Sequence, residues 1–257
     1  MRSFVVFTIL EQLYGIDINE VNRILSAQVV TTVPNEPEYV EGVFKYENNV
    51  IKILSFRRLL GLDSYTQQLK LLFPKLKQQH VAWLDALKES VREGTPFTQT
   101  TDHNACHLGQ WINQFSTDDR EITMMMKQLS KHHENLHSSA IEVLKIRETS
   151  QEDARKWIQE NVEELYKDTL SYLSKVEEKA EEVAIYMQRC LILNGENGNI
   201  FGVNIDEIKD IIHIDDNKIH KSEEPQGIGE HMLIEGILEY EGKLVTLIKD
   251  ISLDKVN

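Results

Sequence analysis

His80, Cys106, His133 and His137 are the residues of this chain best suited to chemistry. Three imidazoles and one thiolate make a full tetrahedral set for Zn²⁺, and four such protein ligands leave no coordination position for a reactive water. His133 and His137 stand four residues apart, so on a helix they share one face and can chelate a single ion. Leu129, Leu136, Ala140 and Leu144 lie around them and turn that face inward. His80 falls on an apolar stripe with Leu76, Trp83 and Leu87. Cys106 comes just before Gly109-Gln110-Trp111, where the glycine admits a close backbone approach. His103, His107 and His132 are the competing imidazoles. His107 follows Cys106 directly, and His132 points about 100° away from His133 on a helix. All three are read as surface or flanking residues, and Trp83 and Trp111 as core. One buried His or Cys alone is more commonly a packed core residue than a ligand; the argument rests on the four together.

A second reading lies in the same residues. His133-Glu134-Asn135-Leu136-His137 fits H-E-x-x-H, in which the Glu of a zinc peptidase acts as general base. Ala140 and Val143 occupy the positions of the metzincin Gly and third His, so a further ligand would have to come from downstream, such as Glu160 or Glu163. That reading leaves His80 and Cys106 without a role. No catalytic residue is therefore assigned, and the chain is read as non-enzymatic.

The elements that must position these residues follow from the hydrophobic period. Residues 4–62 read as strands: Phe4–Leu10, Tyr14–Ile18, the β-branched run Val29–Val33 ending at Pro34, and a hairpin of Tyr39–Tyr46 and Val50–Leu54 about the turn Glu47-Asn48-Asn49. Helical spacing takes over from Tyr65 to about Val91 and stops at Gly94-Thr95-Pro96. A short helix over Leu108–Phe115, a long one to Arg147 capped by Thr117 or Asp118, and another over about Ser150–Met187 complete a four-helix bundle. Strand period returns at Cys190–Leu193, Ile200–Val203, Ile211–Ile214 and the hairpin Ile237–Ile248. Val40-Glu41-Gly42-Val43-Phe44-Lys45-Tyr46-Glu47 lines up with Ile234-Glu235-Gly236-Ile237-Leu238-Glu239-Tyr240-Glu241, which marks an internal repeat. The bundle thus reads as an insertion in one β domain: 1–63 its first half, 64–187 the helical bundle, 188–257 its second half. The fold class is α+β, with two domains.

Composition narrows the partners. The formal net charge is −14, shared by the helical stretch and its flanks, which argues against nucleic acid or an anionic membrane surface. No stretch approaches the ~18 apolar residues of a membrane span, and the short N-terminal apolar run reads as a strand, not a signal peptide. Two cysteines do not make a disulfide framework, so a reducing cytoplasm is expected.

The β segments resemble the CheW-like adaptor family over 4–62 and 189–254. The resemblance is carried by Phe4–Phe7, Tyr14-Gly15-Ile16-Asp17-Ile18, Val33-Pro34 with Pro37 and Tyr39, Gly42-Val43, Ile51–Leu62, Phe201-Gly202-Val203, Ile205-Asp206-Glu207-Ile208 and Ile234-Glu235-Gly236. It implies two small β barrels sharing a core, and partners such as a CheA-type histidine kinase or a chemoreceptor. One departure is the turn Glu47-Asn48-Asn49, where the family usually has Arg-Gly. Residues 66–147 resemble the chemoreceptor zinc-binding (CZB) family through His80-x-x-Trp83-x-x-x-Leu87, Cys106-x-Leu108-Gly109-x-Trp111 and His133-x-x-x-His137. That resemblance implies His80, Cys106, His133 and His137 as the zinc ligands, responses to zinc and oxidants, and homodimers formed through the bundle. The chain is therefore read as a zinc-binding chemotaxis adaptor, in which zinc occupancy or Cys106 oxidation modulates protein–protein interaction. A structural zinc scaffold without sensing is the alternative.

Overall fold

The computed structural model describes residues 1–117, 119–195, 198–228 and 231–251. It divides into two compact units, Met1–Tyr65 with Ala184–Asn257, and Thr66–Val183. The class is α+β, with every long helix in one unit and the two sheets in the other.

In the sheet unit the chain forms β1 (Arg2–Ile9), β2 (Gln12–Asp17), β3 (Val21–Ser26), β4 (Val40–Tyr46), β5 (Asn49–Ser55) and the one-turn α1 (Phe56–Leu59). After the helices come β6 (Arg189–Asn194), β7 (Ile200–Ile205), β8 (Glu207–Ile214), β9 (His220–Ile228), β10 (Met232–Tyr240) and β11 (Lys243–Ile251). The strands pair in the orders β8-β1-β2-β11-β10-β9 and β3-β6-β7-β5-β4. Both orders have free ends, so the pairing among the described residues gives two open sheets and not closed rings.

The two orders are copies of one plan. The hairpin β1–β2 corresponds to β6–β7, and each is flanked by a strand from the other half of the chain, β8 beside β1 and β3 beside β6. The opposite neighbour is parallel in both cases, β11 on β2 and β5 on β7, with Leu247 opposite Gly15 and Ile53 opposite Gly202. This exchange makes the halves interdependent: neither sheet exists without strands from both sides of the helical stretch. It also exposes a second repeat, Tyr14-Gly15-Ile16-Asp17-Ile18 against Phe201-Gly202-Val203-Asn204-Ile205. The repeat read from the sequence falls on hairpins β4–β5 and β10–β11. Gly42 and Gly236 each sit at a shift of register there. In both, a carbonyl (of Thr31 or His220) fills the space that a Cβ would need.

The unbroken apolar run of β1 has a physical reason. Val5, Phe7 and Ile9 pack with Leu54, Phe56, Leu191 and Val203, while Phe4 and Val6 pack on the other face with Leu238, Val245 and Leu247. A strand buried on both faces needs no polar alternation. One expectation is corrected. Val29–Val33 is not a strand; only Thr31 forms an isolated bridge, to Val43, and the strand lies earlier at β3. Of the turn that must join the expected strands Cys190–Leu193 and Ile200–Val203, Glu196 and Asn197 lie outside the described residues.

The helical elements are α2 (Tyr65–Glu93), α3 (His107–Gln114), α4 (Arg120–Arg147), α5 (Gln151–Trp157), α6 (Glu163–Glu178) and α7 (Ala180–Tyr186). The long helix expected over 150–187 is broken twice, by one π-helical turn at Ile158–Val162 and by Lys179, whose φ of −100° and ψ of 22° leave the helical region. The cap of α4 is Asp119, whose carboxylate accepts from the Ile122 N–H at 2.9 Å; Thr117 instead holds the Asp119 N–H, and Asp118 lies outside the described residues. Trp83, Leu87, Leu136, Ala140, Val143 and Ile158 form the heart of the core, joining α2, α4 and the π turn.

Candidate metal centre

Three helices bring the four residues together. His80 lies on the buried stripe of α2 between Leu76 and Trp83, and His133 and His137 lie one turn apart on the buried face of α4. Cys106 is the N-cap of α3, its sulfur accepting from the Gly109 N–H at 3.4 Å. One ligand atom from each of the four lies within 4.8 Å of the other three. The Cys106 Sγ stands 3.1 Å from His133 Nε2. His80, His133 and His137 are 3%, 0% and 1% exposed, while Cys106 is half-buried.

The hydrogen bonds around the rings decide which nitrogens face the centre. His80 Nδ1 lies 2.8 Å from the Leu76 carbonyl and His137 Nδ1 lies 3.1 Å from the Thr100 carbonyl. A carbonyl only accepts, so these Nδ1 atoms carry the proton and each Nε2 presents a lone pair. Both Nε2 atoms are buried without a hydrogen-bond partner among the described residues, as is His133 Nδ1. Leaving such groups unpaired costs about 1–3 kcal/mol each. A cation at the centre satisfies both Nε2 lone pairs, and the donor set suits Zn²⁺.

Electrostatics point the same way. Burial pushes His80 below the ordinary imidazole range. Burial, then the neighbouring imidazoles, push His133 to about 2, and burial is the main cause that brings His137 to about 4. All three are neutral at pH 7, the form that ligates. Burial pushes the Cys106 thiol up, opposed by the N–H groups of Gly109 and Leu108. A cation reverses that balance, and a helix N-terminus favours the thiolate.

Two supporting residues carried weaker signals in the sequence. The Trp83 indole donates to the Thr100 carbonyl at 2.8 Å, the same oxygen that orients His137. Trp83 therefore serves as more than core; its three-residue offset from His80 was the legible hint. At Gly109 a Cβ would overlap the His103 carbonyl. Gly109→Ala should displace the first turn of α3, and Cys106 with it. The expected result is zinc affinity at least about tenfold weaker with little loss of helix, measured by competition with a chromophoric chelator; unchanged affinity contradicts this role for Gly109.

The rival residues do not join the group. Glu134 is exposed, and Glu163 pairs with Lys88 at 2.7 Å. Neither they nor Glu160 belong to the group of four. His107 is exposed and hydrogen-bonds Gln79, while His132 stacks on Tyr172 beside Asp168. His103 lies closer, its ring centroid 6.1 Å from that of His133.

Comparison with known proteins defines the class of each segment. A family model for the CheW-like domain matches residues 3–89, and one for the chemoreceptor zinc-binding domain matches residues 80–144. The chain thus carries a segment similar to the CheW-like domain followed by one similar to the chemoreceptor zinc-binding domain, and His80, Cys106, His133 and His137 all fall in the second match. The first match runs past the sheet unit into α2. A chemotaxis protein CheW of Treponema pallidum is 39% identical over 64 residues, which are 25% of this chain and 38% of that protein. The chain therefore spans about two-fifths of that relative's length. The crystal structure of a scaffolding protein, TtCheW of Thermoanaerobacter tengcongensis, aligns with a TM-score of 0.47 at 15% identity, over 100% of this chain and 94% of that one. No helix among the described residues is long and apolar enough to cross a membrane.

Proposed function

We propose that the chain is a zinc-responsive chemotaxis adaptor. In this reading the CheW-like domain is divided into 1–63 and 188–257 by the helical stretch 64–187. His80, Cys106, His133 and His137 hold one Zn²⁺, and the sheet unit binds a CheA-type kinase or a chemoreceptor. The observation that carries the reading is the convergence of four neutral or thiol ligands within 4.8 Å, inside the segment that matches a zinc-binding family. When bound, the metal supplies a Lewis-acid centre that neutralises the thiolate and ties α2, α3 and α4 together. Four protein ligands, with Glu134 turned to solvent, support a non-enzymatic role.

Two inputs act through these residues. Loss of zinc restores three unpaired imidazoles to the core and loosens the contact of α3 with α2 and α4. Alternatively, peroxide oxidises Cys106: the thiolate sulfur gains an S–O bond and loses two electrons, the O–O bond breaks with the other oxygen leaving as hydroxide, and the sulfenic acid is a poor ligand. The chain runs from α7, ending at Tyr186, into β6, starting at Arg189, with no Gly or Pro between. That direct connection offers a route to the sheet unit.

The test titrates zinc, and separately peroxide, while following helix content and the binding of purified kinase and receptor fragments. Partner affinity should change at least about threefold between the zinc-loaded and zinc-free chain, and a flexible insert near Met187 should abolish the change. Bound zinc with unchanged partner binding overturns the sensor reading and leaves a structural scaffold.

A further inference from the structure

We propose that His103 is a reserve ligand of the centre, taking the fourth position when the Cys106 thiolate is not available. This rests on the metal-centre reading and adds a fifth residue to it. Two imidazoles that each bind one zinc through one nitrogen, at about 2.0–2.1 Å, hold their ring centroids roughly 5 Å apart. The three buried rings obey this, with separations of 5.1, 5.7 and 4.6 Å. His103 stands 6.1 Å from His133, beyond the widest of those separations, and lies outside the group of four.

Its setting favours movement toward that group. His103 is half-buried and lies in the turn 103–105, outside any helix, whereas the other three imidazoles are fixed on helices. It also lies beside Cys106, the one half-buried ligand. The His103 carbonyl accepts from the Cys106 thiol at 3.4 Å, so both residues share the open rim of the centre. Asp102, the other donor on this turn, is already engaged: its carboxylate caps the Asn104 N–H at 2.9 Å. His107 and His132 make their own hydrogen bond or ring stack elsewhere. Loss of the thiolate then changes the ligand set from three His and one Cys to four His, and zinc stays bound.

The test uses the full chain loaded with zinc, and with Co²⁺ as a spectroscopic probe. Cys106→Ser keeps the helix cap, since serine is a preferred N-cap. Expected results are unchanged zinc affinity for His103→Ala, retained one-to-one zinc in Cys106→Ser, and at least about thirtyfold weaker binding in the double variant. In the Cys106→Ser background, His103→Cys should restore the sulfur-to-cobalt charge-transfer band. Equal affinity of the single Cys106→Ser and double variants, or no restored band, overturns the inference. A second measurement needs no Cys106 variant. Iodoacetamide alkylates Cys106 of the zinc-loaded chain, forming an S–C bond and expelling iodide. Zinc should stay with the wild-type chain and leave His103→Ala, and equal release from both overturns the inference. A wild-type chain that shows no thiolate–cobalt band overturns the metal reading itself, which separates the two failures.

Discussion

Replacing His133 with alanine should abolish stoichiometric zinc binding and make the helical unit indifferent to chelator. His133 is fully buried, and its Nε2 is the nitrogen beside the Cys106 sulfur. Structural zinc sites contribute about 10–16 kcal/mol of apparent binding energy from four ligands, so one ligand accounts for about 2.5–4 kcal/mol, or a factor of about 10² to just under 10³ in affinity. Because binding energy is folding energy here, the wild-type bundle should melt at a lower temperature once zinc is stripped, and the variant should melt near that lower temperature with or without zinc. All three tryptophans, Trp83, Trp111 and Trp157, lie in this unit, so their fluorescence follows its unfolding alone. His107→Ala is the control, since that side chain is exposed and hydrogen-bonds Gln79. Full zinc occupancy in His133→Ala, or a chelator-insensitive wild type, would falsify the centre as drawn.

The second large effect lies in the sheet unit. Arg57 is 3% exposed and forms a two-pronged pair with Asp206, Nε to Oδ1 and Nη2 to Oδ2, both at 2.6 Å. Asp206 also accepts from the Leu10 N–H at 2.7 Å, where Leu10 turns β1 into β2 with a φ of 56°. The Tyr65 ring lies 4.5 Å from the guanidinium, and its hydroxyl stands 3.6 Å from the Met187 sulfur. One cation thus ties α1, the β1–β2 turn and the segment after β7 together, beside the points where the chain leaves and re-enters the sheet unit. Arg57→Ala leaves a partly buried carboxylate uncompensated, at a cost of about 3–5 kcal/mol. The double change Arg57→Met with Asp206→Asn should recover a good part of that loss, because no charge then remains to be paired. Tryptophan fluorescence does not see this unit, so the measurement is amide hydrogen exchange in β1 and β7. Protection falling by less than tenfold in Arg57→Ala would mean that the pair is dispensable.

Much of the metal centre was legible because its determinants are local. Helical period places His133 above His137 and puts His80 on a buried stripe, whatever the rest of the chain does. Apolar content and strand period announce β1 and the hairpins β4–β5 and β10–β11. Other features are set by partners distant in sequence. Val29–Val33 has strand propensity but finds no continuous partner, whereas Val21–Ser26, less apolar, pairs with β6 from the far side of the helical stretch. Propensity yields to available hydrogen-bond partners. The π turn at Ile158–Val162 leaves no composition signal, and Asp119 caps α4 in place of the expected Thr117 or Asp118 because its carboxylate has the reach and geometry for the Ile122 N–H.

By itself the sequence determined which residues could ligate zinc, which faces they occupy, and that a helical stretch divides a repeated β pattern. Only the tertiary structure decided that one ligand atom from each of the four side chains lies within 4.8 Å of the others, that the Thr100 carbonyl orients His137, that the His103 ring stands beside His133 outside that group, and that each half of the β pattern lends a strand to the other. The first group follows from backbone periodicity within a single element. The second depends on contacts between residues tens to hundreds of positions apart, which periodicity cannot encode.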